Sequence, residues 1–355
     1  MLNRLEGDRF HVAQKRWQAW HSRYKTSIDC KLSPVKNLLR IQRDLSDRIV
    51  HPPSALTIGN FDGVHRGHQA MLSRVFAASN ELNLMAAVMT FDPHPREYFA
   101  RLTRRPEMAP TQISGLRDKV AELCNHGMAS ITIARFNEAM ASMPAQDFIK
   151  DLLVDSLNTR WLLVGEDFRF GHRRMGDIEM LRRLGREHGI AVNTLEDVTD
   201  ERGQRISSSE VRAALAVGDM PRAAHLLGRR YAMSGHVIHG RKLGRTLSYP
   251  TLNMRVTPRC AARSGVYIVK VFGLADQPLA GIASLGVRPT VEDDGRILLE
   301  THVLDARVDA YGKLVRVELL QHVRDEAKFP DLPTLTAAMH DDAKQARDYF
   351  AIHGL

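Results

Sequence analysis

The feature that most limits how this 355-residue chain can fold is a change of rhythm near Arg229. Before it, short apolar runs alternate with helical patterns. SALTI from Ser54, LMAAVMTF from Leu84, ASITIARF from Ala129, RWLLVG from Arg160 and IAVNTL from Ile190 read as strands. HQAMLSRVFAASNEL, LRDKVAELCNHG, AQDFIKDLLVDSL and MGDIEMLRRLGREHG lie between them and space their apolar residues for helices, as Met71, Leu72, Val75 and Phe76 do. Such alternation is the mark of a parallel sheet covered on both faces, and ligands of such sheets sit beyond the carboxyl ends of the strands. After VRAALAVGDMPRAAHLLG the pattern changes to strands alone: YAMSGHVI, SGVYIVKVFG, LAGIASLGV, RILLETHVLDA and LVRVELLQHV. Their spacing and turn residues predict a small, mostly antiparallel β-barrel, with a final helix from about Leu335 to Phe350 packed on it. The predicted class is therefore α/β, with a parallel-sheet domain over 54–228 and a barrel domain over 229–355.

Composition excludes several alternatives. A hydrophobic content of 44% with 26% charged residues is that of a globular protein, and the longest mostly apolar stretch, Leu82 to Phe91, is too short to span a bilayer. No secretory pattern opens the sequence. Cys30, Cys124 and Cys260 are scattered and form no CxxC, so neither a disulfide framework nor a zinc site is expected, and the cytoplasm is the expected compartment. The formal charge of +9 invites a nucleic-acid hypothesis. Position argues against it: residues 1–50 hold eleven Lys/Arg against five Asp/Glu, a surplus of six that leaves only +3 for the rest. Those 50 residues, with their segment KRWQAWHSRYK, are read as a basic N-terminal extension and expected to be poorly ordered.

The first strand runs into TIGNFDGVHRGH, Thr57 to His68. Gly59 and Gly63 allow a sharp turn and a close approach to a ligand, and a helix beginning near Gly67 would aim free amides and its positive end at the same space. His65 and His68 flank that entrance as two donors able to carry charge, an arrangement suited to a triphosphate. The absence of GK[ST] excludes a Walker loop. Three further elements fall at other strand ends: TFDPHP with His94, VGEDFRFG with Asp167, Arg169 and Phe170, and RISSSEVR with Ser207, Ser208 and Arg212. Serine hydroxyls at a helix start with an arginine a turn along can clamp a phosphate, although the serines also suit a plain cap and the phenylalanines a core.

GNFDGVHRGH, FDPHP, VGEDFRFG and RISSSEVR, in this order, resemble the adenylyltransferase half of the bacterial bifunctional riboflavin kinase/FAD synthetase family. The resemblance implies a Rossmann-like nucleotidyltransferase domain that transfers AMP from ATP to FMN and releases pyrophosphate. It implies that His65 and His68 stabilise the ATP phosphates in the transition state and that Gly59, Asn60 and Phe61 help to bind ATP. Ser207, Ser208 and Arg212 would hold the triphosphate with Mg²⁺, and His94, Asp167 and Phe170 would meet the flavin.

In the second half, PTLN sets Thr251 and Asn253 on one side of an extended segment, and both offer neutral oxygens for a partial Mg²⁺ shell. RILLETHVLD alternates, with Leu298, Glu300, His302 and Leu304 on one face, so Glu300 is either a solvated strand charge or a base for a hydroxyl. GRxL followed by PTxN, GVY, GxRPT and ETHVLD ahead of YG is similar to the riboflavin kinase domain of the same family. This implies phosphorylation of the riboflavin 5′-hydroxyl by MgATP, with Glu300 as general base, Thr251 and Asn253 at the metal, and Gly244 at the nucleotide. Ser248, Tyr249 and Ser284 depart from the family's usual glycine, phenylalanine and asparagine. The expected protein makes FMN and then FAD from riboflavin and ATP, without nucleic-acid or membrane partners and with its oligomeric state open. The alternatives are a monofunctional FMN adenylyltransferase with an inactive, flavin-binding barrel, and a non-enzymatic flavin-binding regulator.

Overall fold

The computed structural model describes residues 39–43, 51–239, 250–287, 297–306 and 308–355. Contacts divide the chain into two units. One takes the described residues of Met1–Gly59, Met71–Pro93 and Leu123–Leu195, and the other those of Asn60–Ala70, His94–Glu122 and Glu196–Leu355.

The first unit holds a parallel sheet of β1 (Arg40–Arg43), β2 (Ser54–Ile58), β3 (Met85–Phe91), β4 (Ser130–Ala134), β5 (Thr159–Gly165) and β6 (Ala191–Leu195) in the order β1-β4-β3-β2-β5-β6. Every residue of β2 and β4 is buried, as expected where both faces of a strand are covered. Between these strands in sequence come α1 (Arg66–Glu81), α2 (Pro95–Leu102), α3 (Leu116–Asn125) and α4 (Ile178–Glu187), with a π-helix over Phe148–Ser156; α2 and most of α3 belong to the second unit. Leu56, Met89, Phe148, Leu152, Leu162 and Leu181 form the core of this unit. Strand order reverses at β2, which has β3 on one side and β5 on the other, and the segment that leaves β2 carries GNFDGVH.

All five strands expected in this half are present. The sixth, β1, lies inside the segment read as an extension, and it pairs residue by residue with Ser130–Ile133. Its sequence RIQR has one apolar residue and offers no alternation to read. Residues 1–38 and 44–50 of the extension lie outside the described residues.

The second unit holds a closed antiparallel barrel of β7 (Tyr231–Ile238), β8 (Thr251–Arg255), β9 (Gly265–Phe272), β10 (Leu279–Val287), β11 (Ile297–Val303) and β12 (Leu314–Arg324), in the order β10-β11-β8-β7-β12-β9. Period-two alternation separates two cores. Tyr267, Val269 and Val271 of β9 join the core with Leu285, Leu299 and Val317, while Val266 and Ile268 join a second core with Ala343 and Ala346 of the terminal helix. This explains why β9 is apolar almost throughout. Ahead of the barrel, α5 (Ser208–Ala216) and α6 (Met220–Leu227) contribute Val211, Leu215 and Leu226 to the first of these cores. The terminal helix α7 (Leu332–His353) starts at Asp331, whose carboxylate accepts from the Thr334 amide at 2.8 Å. Arg324 at the end of β12 donates two hydrogen bonds to Asp342 of α7, at 2.9 and 2.6 Å.

Candidate active sites

The turn after β2 is built from backbone that few residues adopt. Phe61, Gly63 and Val64 all have positive φ, at 48°, 80° and 42°. Glycine is required at 63, because a Cβ there would come within 2.6 Å of Ile113. The two non-glycine residues at positive φ each cost on the order of 1–3 kcal/mol, which only a strongly determined surrounding can offset.

Asp62 supplies much of that surrounding. Its buried carboxylate accepts from the amides of Ile113 and Ser114, each at 3.1 Å, and from Arg212 Nη2 at 2.6 Å. The Gly63 amide donates to Ser114 Oγ at 3.1 Å. From the other side Arg229 donates to the carbonyls of Gly63 (2.8 Å) and Val64 (3.1 Å), and its guanidinium pairs with Glu122 at 3.1 Å. The carbonyls and amides of the turn are thus held by charged groups, and what the turn presents is a pair of imidazoles.

Those rings, His65 and His68, stack with centroids 3.7 Å apart and planes 21° from parallel. Phe61 closes against His68 at 4.9 Å. α1 begins at Arg66, next to the expected position, so His65 precedes the helix and His68 lies in its first turn. The His68 amide donates to His65 Nδ1 at 3.4 Å, which leaves the ring proton of His65 on Nε2. Burial lowers the His65 pKa to about 4, with Arg212, Arg205 and Arg229 adding to the effect and Asp62 opposing it. Burial, and then the charges of His65, Lys119 and Arg212, hold His68 well below its ordinary value. His94 falls to about 4 for the same first reason, with Arg212, Lys119 and Arg96 lowering it against Asp62. Without substrate all three are neutral at pH 7, because burial removes the water a cation needs and the neighbouring cations oppose another one.

The other predicted residues divide between the units. His94 caps α2, its Nδ1 accepting from the Arg96 amide at 3.1 Å. Ser207 caps α5, its Oγ accepting from the Glu210 amide at 3.3 Å, and Ser208 Oγ donates to the Asp62 carbonyl at 3.2 Å. Arg212 is engaged by Asp62 and by the Thr111 carbonyl, to which its Nε donates at 2.7 Å. His65, His68, His94, Asn60, Ser207, Ser208 and Arg212 all belong to the second unit. Gly59, Asp167 and Phe170 belong to the first, where Gly59 donates its amide to the Met89 carbonyl at 3.1 Å. Phe170 is buried in that core, with Phe148 at 5.1 Å and Phe168 at 5.7 Å from its ring. Sequence reasoning passed over Asp62, Lys119 and Arg229. Asp62 stands in the quoted motif, but a carboxylate beside an expected phosphate site is out of place by charge alone; it makes sense as a clasp on backbone amides.

The barrel site follows from strand register. Thr251 and Asn253 share a face of β8, where Asn253 lies opposite Glu300 and Thr251 opposite His302 on β11. On the other side of β11, Ser284 of β10 also lies opposite Glu300, so Asn253, Glu300 and Ser284 form one row across three strands. Thr251, Ser284, Glu300 and His302 line a cavity of about 640 Å³, whose other walls include Glu326 and Phe329. A side chain at Gly286 would collide with Glu326. Burial, and then the charge of Glu300, raise the Glu326 pKa. Among the described residues no group of three or more His, Cys, Asp or Glu could hold a metal ion. Gly244, with Ser248 and Tyr249, lies outside the described residues.

Comparison with known proteins divides the chain in the same sense as its change of rhythm. Residues 47–210 match the FAD synthetase family model and residues 227–350 the riboflavin kinase family model. The bifunctional riboflavin kinase/FMN adenylyltransferase of Escherichia coli strain K12 is 42% identical over 297 residues, which cover 84% of this chain and 93% of that protein. The protein of the same description from Pseudomonas fluorescens is 40% identical over the same shares. Among solved structures, a Streptococcus pneumoniae protein described as a macrolide-efflux protein is similar at TM-score 0.71 and 28% identity, over 86% of this chain and 98% of that one. Among the described residues of this chain no helix is long and apolar enough to cross a membrane.

Proposed function

The chain belongs to the bifunctional riboflavin kinase/FMN adenylyltransferase family, and from that membership we propose how its residues divide two reactions between two sites. The enzyme phosphorylates riboflavin with ATP to give FMN, then joins FMN to the AMP of a second ATP to give FAD and pyrophosphate. The observation that carries the assignment is the pair of stacked, neutral imidazoles held by a heavily clasped turn.

In adenylyl transfer a phosphate oxygen of FMN attacks the α-phosphorus of ATP, and the bond to pyrophosphate breaks. Negative charge gathers on the α-phosphate oxygens and on the leaving group. His65, through its Nε2–H, and His68 meet that charge as buried donors, and a donor of this kind is worth roughly 2.7–4 kcal/mol. Gly59, Asn60 and Phe61 shape the turn around the ATP phosphates. Ser207, Ser208 and Arg212, with the amides at the start of α5, hold the triphosphate, and Arg212 does so while anchored to Asp62. His94 and Asp167 are assigned to the flavin. Phe170 is assigned to the flavin as well, and its buried ring lies against Phe148 and Phe168.

In the barrel Glu300 takes the proton of the riboflavin 5′-hydroxyl as its oxygen attacks the γ-phosphorus, a role worth typically about 10²–10⁴-fold. Thr251 and Asn253, with Gly244 nearby in sequence, take the MgATP. A hydroxyl and an amide beside one carboxylate fit Mg²⁺, which binds few protein oxygens and keeps waters and phosphates as its other ligands. When bound, the ion would neutralise phosphate charge. The retained Thr251, Asn253 and Glu300, with Asn253 opposite Glu300 and Thr251 opposite His302, support an active kinase over a barrel that only binds flavin. The assigned domains are 54–228 for adenylyl transfer and 229–355 for the kinase, with riboflavin, FMN and ATP as partners. Buried Cys124 and half-buried Cys260, neither in a disulfide, suit the reducing cytoplasm.

A time course with riboflavin and MgATP tests this reading by chromatography of the flavins and assay of pyrophosphate. FMN should rise first and FAD follow, with one pyrophosphate for each FAD. FMN that never advances to FAD, or FAD formed without matching pyrophosphate, would contradict it.

A further inference from the structure

Between α2 and α3 the chain passes through Pro106 and Pro110, and residues 109–115 form neither helix nor strand. Proline has no amide to give to a ladder, so the polar backbone of such a segment must find partners elsewhere. It finds them on two sides. On one side lies the adenylyl machinery. The Ile113 and Ser114 amides donate to Asp62, and Ser114 Oγ accepts from the Gly63 amide. The Thr111 carbonyl accepts from Arg212 Nε at 2.7 Å, and Gln112 Nε2 donates at 3.3 Å to Glu97 of α2, the helix capped by His94.

On the other side lies the loop between β8 and β9, inside the part of the chain that matches the riboflavin kinase model. The Gln112 amide donates to the Arg259 carbonyl at 2.6 Å, and the Gln112 carbonyl accepts from the Ala261 amide at 3.0 Å. Gln112 and Cys260 are thereby paired as an isolated parallel bridge. Thr257 Oγ1 donates to Gln112 Oε1. The half-buried Arg259 adds its side chain. Nη1 donates to the Pro106 carbonyl at 3.1 Å, Nε to the Pro110 carbonyl at 3.2 Å, and Nη2 to the Ala109 carbonyl. One rigid fork of donors thus fixes three carbonyls that no ladder satisfies. All these residues belong to the second unit.

We infer that Arg259, a residue of the kinase segment, is a positioning residue for adenylyl transfer, fixing the 106–114 segment that in turn holds Asp62, Arg212 and α2. The assignment rests on the reading of the histidine turn as the adenylyl site. Its route is a chain of contacts: Arg259 to the segment, the segment to the Asp62 carboxylate, and Asp62 to the turn that carries His65 and His68. A turn with positive φ at Phe61 and Val64 keeps its shape only while its surroundings enforce it, so a loosened segment displaces the imidazoles.

Arg259→Met and Thr257→Val in the full chain test it, with FMN formation from riboflavin read in the same molecule. Arg259→Met should lower kcat for FAD formation from supplied FMN by about 100-fold, the cost of a misplacement of about 1 Å. The KM for ATP should move less, and FMN formation should be unchanged. Thr257→Val keeps the shape and removes one hydrogen bond, so it should give a smaller fall in the same reaction alone. Asp62→Asn separates positioning from mere support of the fold. If Arg259 acts through Asp62, adding Arg259→Met to Asp62→Asn should cost much less than it costs in the parent. Unchanged FAD formation in Arg259→Met would overturn the inference. So would FMN and FAD formation falling together with the melting temperature, or full additivity with Asp62→Asn. His68→Ala keeps this inference apart from the reading beneath it. If His68→Ala abolishes FAD formation while Arg259→Met does not lower it, only the arginine assignment fails. If His68→Ala is active, the site itself is misplaced.

Discussion

The histidine turn and the barrel site, both proposed to hold a nucleotide's phosphates, are built from opposite materials. The turn uses irregular backbone: positive φ at Phe61, Gly63 and Val64, with carbonyls and amides caught by Asp62, Ser114 and Arg229. The barrel site uses regular backbone, in which strand register alone lines up Asn253, Glu300 and Ser284. The difference teaches that each site should fail in its own way. The turn depends on distant charged clasps and on imidazoles kept neutral by burial, whereas the barrel site depends on the chemistry of the side chains in its row.

The largest effects should come from single changes in each place. Glu300→Gln keeps shape and removes the proposed base, so FMN formation should fall by about 10²–10⁴-fold while FAD still forms from supplied FMN. His68→Ala should do the reverse, lowering FAD formation by about 10²–10³-fold with FMN formation intact. Chromatography of products from riboflavin and MgATP reads both. Equal loss of the two products in either variant would break the comparison.

A smaller effect sharpens it. His65 and His94 have folded pKa values of about 4 against an ordinary 6.5, and His68 is depressed too. Between these values the unfolded chain binds more protons than the folded one, so stability rises with pH there. It should be complete above about pH 6.5, fall as pH drops below that, and level off for His65 and His94 near pH 4. Melting temperatures across that range should slope less steeply in His65→Ala than in the parent. An unchanged slope would mean that His65 is not buried neutral.

The barrel site was legible because period-two alternation by itself puts Thr251 with Asn253 and Glu300 with His302. The four inner strands of the sheet, β4, β3, β2 and β5, were legible for the related reason that burial on both faces makes them continuous apolar runs. β1 was not, since an edge strand needs little apolar surface and RIQR has none of the usual pattern. In the turn, the histidines stood out by type and spacing, but their charge state did not. It depends on burial and on Arg212, Arg205, Arg229 and Lys119, which come from remote parts of the chain. Arg229 shows the limit most plainly. In sequence it marks a boundary between patterns, and in the folded chain it grips carbonyls more than 160 residues away.

The claim beneath all of this is that two complete and separable reactions reside on one chain, joined by FMN. Mixing the His68→Ala and Glu300→Gln proteins tests it most directly, with riboflavin and MgATP supplied and FAD measured. Each variant alone should make no appreciable FAD from riboflavin, and the mixture should make it through FMN released by one protein and used by the other. A mixture that makes FMN but no FAD, or either variant producing FAD from riboflavin at the parent rate, would contradict the account.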